Sequence, residues 1–265
     1  MKVSIVVTTY NRPDALEVVL NSIKKQTLKP YEVLIADDGS DHQTKQVIDK
    51  FIHNNEFKVI HSWHEDIGFR VSEARNKAIS FSEADYLILI DGDMILNRFF
   101  IQDHLFHSER GFFIQGKRAL LSEKETQNYL SSPMKTNFNF FSKGVMNRKN
   151  TIHSKFLSNF FVSKSNKLEG LKACNISFFR DDFIRVNGFN HDFVGWGRED
   201  SELCVRMFNS GLMRKDIRYM ALQLHLWHPQ STRKMLEKNN KILQESISNK
   251  KTWCNNGVDK YLLNY

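Results

Sequence analysis

The chain has 265 residues, 41% hydrophobic and 26% charged, enough for a sizeable core in one or two domains. No uninterrupted apolar run of about 18 residues occurs, and the opening MKVSIVVTTYNRPD turns polar too soon for a secretory leader, so neither a membrane-spanning helix nor a leader is expected. The three cysteines, Cys174, Cys204 and Cys254, are far apart; they suggest neither a disulfide framework nor a zinc site, and a cytoplasmic location is the default expectation.

In chain order, Val3 to Val7 reads as a strand. Pro13 then suits the first turn of a helix with Asn11 as a candidate cap, and Leu16, Val19, Leu20 and Ile23 recur at helical spacing. Tyr31 to Ala36 is a second apolar run, stopped by Asp37-Asp38-Gly39-Ser40. Thr44 to Ile52 reads as helix, Phe57 to Ile60 as strand, Ser72 to Phe81 as helix and Tyr86 to Ile90 as a buried strand. Strands alternating with helices predict an α/β fold, a mostly parallel central sheet with helices on its faces. Ligands of such sheets bind at the carboxyl ends of strands. That edge would collect Thr8-Thr9-Tyr10-Asn11, Asp37-Asp38 and Asp91-Gly92-Asp93.

Residues 120–168 break the pattern and read as a long basic loop. Between residues 110 and 168 lie eleven Lys/Arg and two acids, enough to account for the formal net charge of +8. A solvated surface, an anionic acceptor or an anionic membrane would each suit that charge; no nucleic-acid-binding motif accompanies it. Beyond it, Ala173 to Phe179 reads as a strand, Asp181 to Val186 and Glu199 to Asn209 as helices, Leu222 to Trp227 as a last strand, and 231–250 as helical. The expected organisation is one domain over 1–230, with a nucleotide-binding half (1–110) and an acceptor and catalytic half (111–230), followed by a C-terminal helical extension (231–265).

Several clusters carry candidate chemistry. Asp91 and Asp93 could cap a turn, or hold a hard divalent cation against a phosphorylated substrate. His225 and His228 could share a metal if the chain turns before Pro229, or could be ordinary core and surface histidines. Glu199 and Asp200 open a helix after Gly195-Trp196-Gly197-Arg198. They could favour its N-terminus electrostatically, or act as general base and hydroxyl binder. Arg70 and Arg75 suit phosphate, or a surface ion pair. His61 and His64 are too isolated to carry a role. GxGxxG and GxxxxGK[ST] are absent, so a Rossmann dinucleotide site or a P-loop is unsupported.

Taken jointly, VSIVVTTYNR, VLIADDGS, GFRVSEARNKAI and LILIDGDM resemble the inverting glycosyltransferases of family 2. The later CNISFFRDDFIRVNGFNHDFVGWGREDSELCVRMFNSG resembles the galactosyltransferase-type part of β-1,4-galactosyltransferases and bacterial chondroitin polymerases. The resemblance implies a GT-A fold and a hexosyltransferase that uses a UDP-sugar donor with Mn²⁺ or Mg²⁺. Thr8, Tyr10 and Asp38 would meet the uridine, Arg75 the diphosphate or nucleoside, and Asp91 the ribose and metal. Asp93 would ligate the metal with His228, or with His225 in second place. Asp200 would be the catalytic base, while Glu199 and Trp196 shape the sugar and acceptor pocket. Arg198, where many relatives have Gly, would add bulk and charge near the sugar. A hexose (Gal, GalNAc or Glc) would pass to a glycan or glycolipid acceptor of surface polysaccharide or lipopolysaccharide. The basic, Phe-containing stretch 110–168 would contact an anionic glycolipid or the inner face of the membrane and close over the donor. A catalytically silent glycan-binding module and a nucleotidyltransferase are the rival readings; retention of both acid pairs argues against the first, and TTYNR in place of a Gly-rich phosphate loop against the second.

Overall fold

The structure, a computed structural model, describes residues 1–230 and 232–262. Its first half lays down β1 (Val3–Thr9), α1 (Pro13–Lys24), β2 (Glu32–Asp37), α2 (His42–His53), β3 (Lys58–Trp63), α3 (Val71–Ser80), β4 (Tyr86–Asp91), β5 (Met94–Leu96) and α4 (Phe100–His107). The second half adds β6 (Phe112–Gln115), β7 (Arg118–Leu121), α5 (Glu123–Leu130), β8 (Val145–Met146), α6 (Lys155–Phe161), β9 (Ser163–Ser165), β10 (Ile176–Phe179), α7 (Arg180–Arg185), α8 (Glu199–Asn209), β11 (Met213–Asp216), β12 (Gln223–His225) and α9 (Leu236–Ser248).

Among the described residues, the main sheet has eight strands in the order β3-β2-β1-β4-β10-β6-β11-β9. β1 to β4 run parallel, and β10 enters antiparallel beside β4. β1, β2 and β4 are buried along nearly their whole length because helices cover both faces, which explains their unbroken apolar character. α1, α2 and α4 back one face; α3, α7 and α8 back the other. A second sheet, β5-β12-β7-β8, sits at the carboxyl ends of the parallel strands and carries the chain end that bears His225.

Local chemistry sets the boundaries. Asp41 caps α2, accepting from the backbone N–H of Gln43 and Thr44. α1 begins at Pro13 after Arg12, without a side-chain cap; Asn11 instead takes a left-handed conformation (φ 46°), and its amide oxygen accepts from the Asp41 N–H at 2.8 Å. The 120–168 stretch is not a bare loop: it holds α5, β8, α6 and β9, joined by a one-turn 3₁₀ segment at Arg148–Thr151. The expected last strand shortens to β12 and belongs to the second sheet.

The C-terminal segment docks on the domain. Glu202 and Arg206 on α8 form a fully buried bidentate pair at 2.7 and 2.8 Å, and Ser246 on α9 donates to the same carboxylate at 2.9 Å. Asn239 on α9 donates to the carbonyls of Gly197 (2.9 Å) and Val194 (3.3 Å). Ser231 and residues 263–265, within the expected extension, lie outside the described residues. No described helix is long and apolar enough to cross a membrane.

Candidate active site

The carboxyl ends of β1 and β4 are adjacent, with Thr8 in register with Asp91. Gly92 follows. Its N–H donates to the Thr8 carbonyl at 2.7 Å, and a Cβ there would lie 2.9 Å from that carbonyl oxygen. The glycine is therefore dictated by the close approach of β1 itself. It turns the chain so that Asp91 and Asp93 both stand at the sheet edge.

Arg75 crosses this edge from α3. It is almost fully buried, and its guanidinium donates to the Thr8 hydroxyl (3.0 Å), to Asp91 Oδ1 (3.0 Å) and to Glu199 Oε1 (3.5 Å). One cation thus joins the first strand, the acidic pair and the second half of the chain. Asp91 nevertheless titrates above the usual carboxylate range. Burial disfavours its charge more than Arg75 favours it, and the Asp93 charge adds to the rise.

Asp93 meets the imidazoles of His225 and His228, with Oδ2 3.4 Å and 3.3 Å from their Nε2 atoms. The two rings stand nearly perpendicular with centroids 5.1 Å apart. His228 is oriented by its Nδ1 against the Pro229 carbonyl, at 2.7 Å. Burial alone would raise Asp93, but the hydrogen bond and charge of His225, with His228, carry it below the ordinary value. Its Oδ1 is buried without a hydrogen-bond partner. One carboxylate oxygen and two imidazole nitrogens within 4.8 Å of one another, with a further orphaned oxygen, fit a divalent ion such as Mn²⁺. The structure brings both histidines to Asp93.

Glu199 and Asp200 begin α8. Burial, then the Asp200 charge, push the Glu199 carboxyl up to about 7 against the pull of Arg75. Its Oε2 is buried and unpartnered. Asp200 accepts from the Ser201 N–H at 2.6 Å and from the Ala173 N–H at 3.3 Å, which fixes its direction. Arg198 before them is left-handed (φ 80°), a backbone that glycine adopts without strain. Its side chain lies exposed and donates to Asn240 on α9 at 2.7 Å.

The remaining candidates line the same edge. Tyr10 is exposed and donates to Asp66 at 2.9 Å. Asp38 is buried and receives the Arg70 N–H (2.9 Å) and the His64 ring (2.8 Å). His64, and His61 on Asp37 at 2.8 Å, are therefore positioning groups that the sequence did not disclose. Their placement depends on the β2–β3 pairing, which no local motif announces. The Arg70 side chain is spent on Glu73 and the Glu65 carbonyl. Trp196 is exposed in its loop, with the Arg233 guanidinium 5.3 Å from its ring centre.

The family model "Glycosyl transferase family 2" matches residues 4–168, more than half of the chain. The chain belongs to this family. A second model, "N-terminal domain of galactosyltransferase", matches residues 156–225. The hyaluronan synthase of Pasteurella multocida is 27% identical over 81% of this chain and 23% of its own length. The chondroitin synthase of Escherichia coli is 24% identical over 78% of this chain and 32% of its own length. The chain thus spans only 23% to 32% of the length of these relatives. The crystal structure of Staphylococcus aureus TarS residues 1–349 in complex with UDP-GlcNAc aligns with TM-score 0.62 at 17% identity, over 94% of this chain and 69% of that one. The fold is the GT-A arrangement of these transferases.

Proposed function

We propose that this family 2 chain is a metal-dependent inverting hexosyltransferase. It would move Gal, GalNAc or Glc from a UDP-sugar to a hydroxyl of a glycan or glycolipid acceptor in surface polysaccharide or lipopolysaccharide synthesis. One observation carries the reading: Arg75 links the Asp91–Asp93 edge, with its two histidines, to the carboxylates that open α8. Asp93, His225 and His228 would hold the ion. When bound, the ion supplies positive charge to a diphosphate leaving group. Thr8, Tyr10 and Asp38 would bind the uridine, Asp91 the ribose, and Arg75 would hold Asp91 and Glu199 in register. Asp200, oriented by two backbone N–H groups, would take the proton of the acceptor hydroxyl as it attacks. Attack opposite the leaving group in a single displacement gives a β-linked product from an α-linked donor.

Glu199 supports a second reading for the base, because a carboxyl near 7 suits proton abstraction at neutral pH. Asp200→Asn and Glu199→Gln separate the two: the base variant loses turnover with UDP-sugar affinity kept. The overall reading is tested with a panel of UDP-sugars and Mn²⁺, following UDP release with and without chelator. No turnover of any nucleotide sugar by folded protein would refute it.

Membrane contact is the further part of the proposal. Phe156 and Phe160 on α6, with Phe161, Phe140 and Phe141, are exposed, and Lys155 and Lys164 accompany them. Apolar rings beside cations suit an anionic lipid surface. Phe113 and Phe138 take no part, since both are buried in the core. Absence of binding to anionic liposomes at low salt would reject this part.

A further inference from the structure

Beside the candidate base lies a second built feature. Two adjoining clefts, of about 290 and 380 Å³, share walls at Lys117 and Asn150. Lys149 and Arg218 line the smaller one; Arg118 and Lys172 line the larger one. Among the described residues, Arg118, Lys149, Lys172 and Arg218 form no ion pair with a carboxylate. Lys117 shares Asp216 with Arg214, at 2.8 and 2.6 Å. Cations that merely keep a surface soluble are spread out and interleaved with acids. Here four that form no ion pair line two clefts that share a wall.

The position of the clefts ties them to the reaction edge. Lys172 and Cys174 flank Ala173, whose N–H is held by Asp200. Arg118 opens β7, which pairs with β12 so that Leu120 lies in register with His225. Arg118 also reaches Cys174 Sγ at 3.4 Å. The larger cleft therefore lies between β7, the partner of the strand that bears His225, and the backbone that orients the candidate base. The Asn147 and Asn150 amides donate to the Arg118 carbonyl at 3.0 and 2.8 Å, which fixes the 3₁₀ turn bearing Lys149 against β7.

We propose that these clefts are an acceptor subsite for a phosphate-bearing sugar, engaged by Arg118, Lys149, Lys172 and Arg218. The inference rests on the glycosyltransferase reading and names the chemistry of its acceptor. Charge matching favours phosphate over a uronate. A carboxylate brings one charge, which a single Arg or Lys satisfies, whereas a phosphate ester brings about −1.5 to −2 and three strong acceptor oxygens. A cleft lined by one sign of charge also concentrates such a substrate before it docks.

The test uses protein saturated with UDP and Mn²⁺, so that the donor site cannot account for phosphate binding. It is titrated calorimetrically with glucose 6-phosphate, glucuronate and glucose. Glucose 6-phosphate is expected to bind at least tenfold more tightly than the other two. The Lys149→Glu/Arg218→Glu double variant should lose at least tenfold of that affinity, and Lys172→Ala on the facing wall should lose several-fold, should the double variant not fold. Equal binding of the three sugars, a preference for glucuronate, or unchanged phosphosugar affinity in the folded variants would overturn the assignment. Failure of UDP and Mn²⁺ to bind would instead overturn the UDP-sugar reading, while the loss of phosphosugar affinity in the cleft variants still decides what the cleft recognises.

Discussion

Replacing Glu199 by Gln should make the metal-free protein more stable while removing a group from the reaction edge. Glu199 is only 14% exposed at its side chain, and its carboxyl is pushed from the ordinary 4.5 up to about 7. At about 1.4 kcal/mol per pKa unit, holding it ionised in the fold costs about 3 kcal/mol at pH 8.5. Gln cannot ionise, so that cost disappears. The new amide donor lands where Oε2 has no partner, which returns about 1 kcal/mol. The net gain is about 2 kcal/mol, or about 4–8 °C in Tm for a chain of this size. The sign follows from linkage. A carboxyl raised in the fold contributes stability below its unfolded value near 4.5, and that contribution is lost as pH rises through about 7. At pH 4.5 the variant should therefore melt about 2–4 °C below wild type, and the order should reverse between pH 5 and 8. Chelator-treated protein followed by far-UV circular dichroism across that range measures it. A Tm difference independent of pH, or a variant less stable at pH 8.5, would refute the electrostatic account of Glu199.

Other perturbations read other parts of the fold. Asp93→Ala should abolish stabilisation by Mn²⁺, which for wild type at a hundredfold excess over its Kd amounts to about 2.7 kcal/mol and is read as a Tm shift. Arg206→Met strands the Glu202 carboxylate in a fully buried site and should cost about 3–5 kcal/mol in chemical denaturation. Gly92→Ala forces a methyl group to within 2.9 Å of the Thr8 carbonyl, so a loss of about 1–3 kcal/mol is expected, along with weaker UDP binding by calorimetry.

What the sequence disclosed and what it hid have physical reasons. β1, β2 and β4 are covered on both faces, so their apolar runs are unbroken and easily read. α8 begins where two acids favour a helix N-terminus, and its predicted and observed limits coincide. β11 escaped because Met213–Asp216 buries Arg214, Lys215 and Asp216, which pair with one another (Arg214 with Asp216) and with the distant Glu109 and Lys117. The 120–168 stretch hid α5 and α6 because each is short and shows a mostly polar or irregular face. At the site, the Asp93 pairing with His225 and His228 was readable as a motif. The bridging by Arg75 was not, because it depends on how α3 is rotated against the sheet.

The clamp from Asn239 to the carbonyls of Gly197 and Val194 has a consequence for how this enzyme family can vary. The loop that carries Trp196 is braced from a helix beyond the segments that the family models match, which end at residue 225. A chain trimmed to those segments would keep every candidate catalytic residue except His228, yet leave that loop without its brace. On the proposed role of Trp196 in the acceptor pocket, changes on α9 would alter acceptor choice at a distance, with the candidate catalytic groups untouched. Arg198→Gly would release the same loop from α9 on its own side, by removing the hydrogen bond to Asn240.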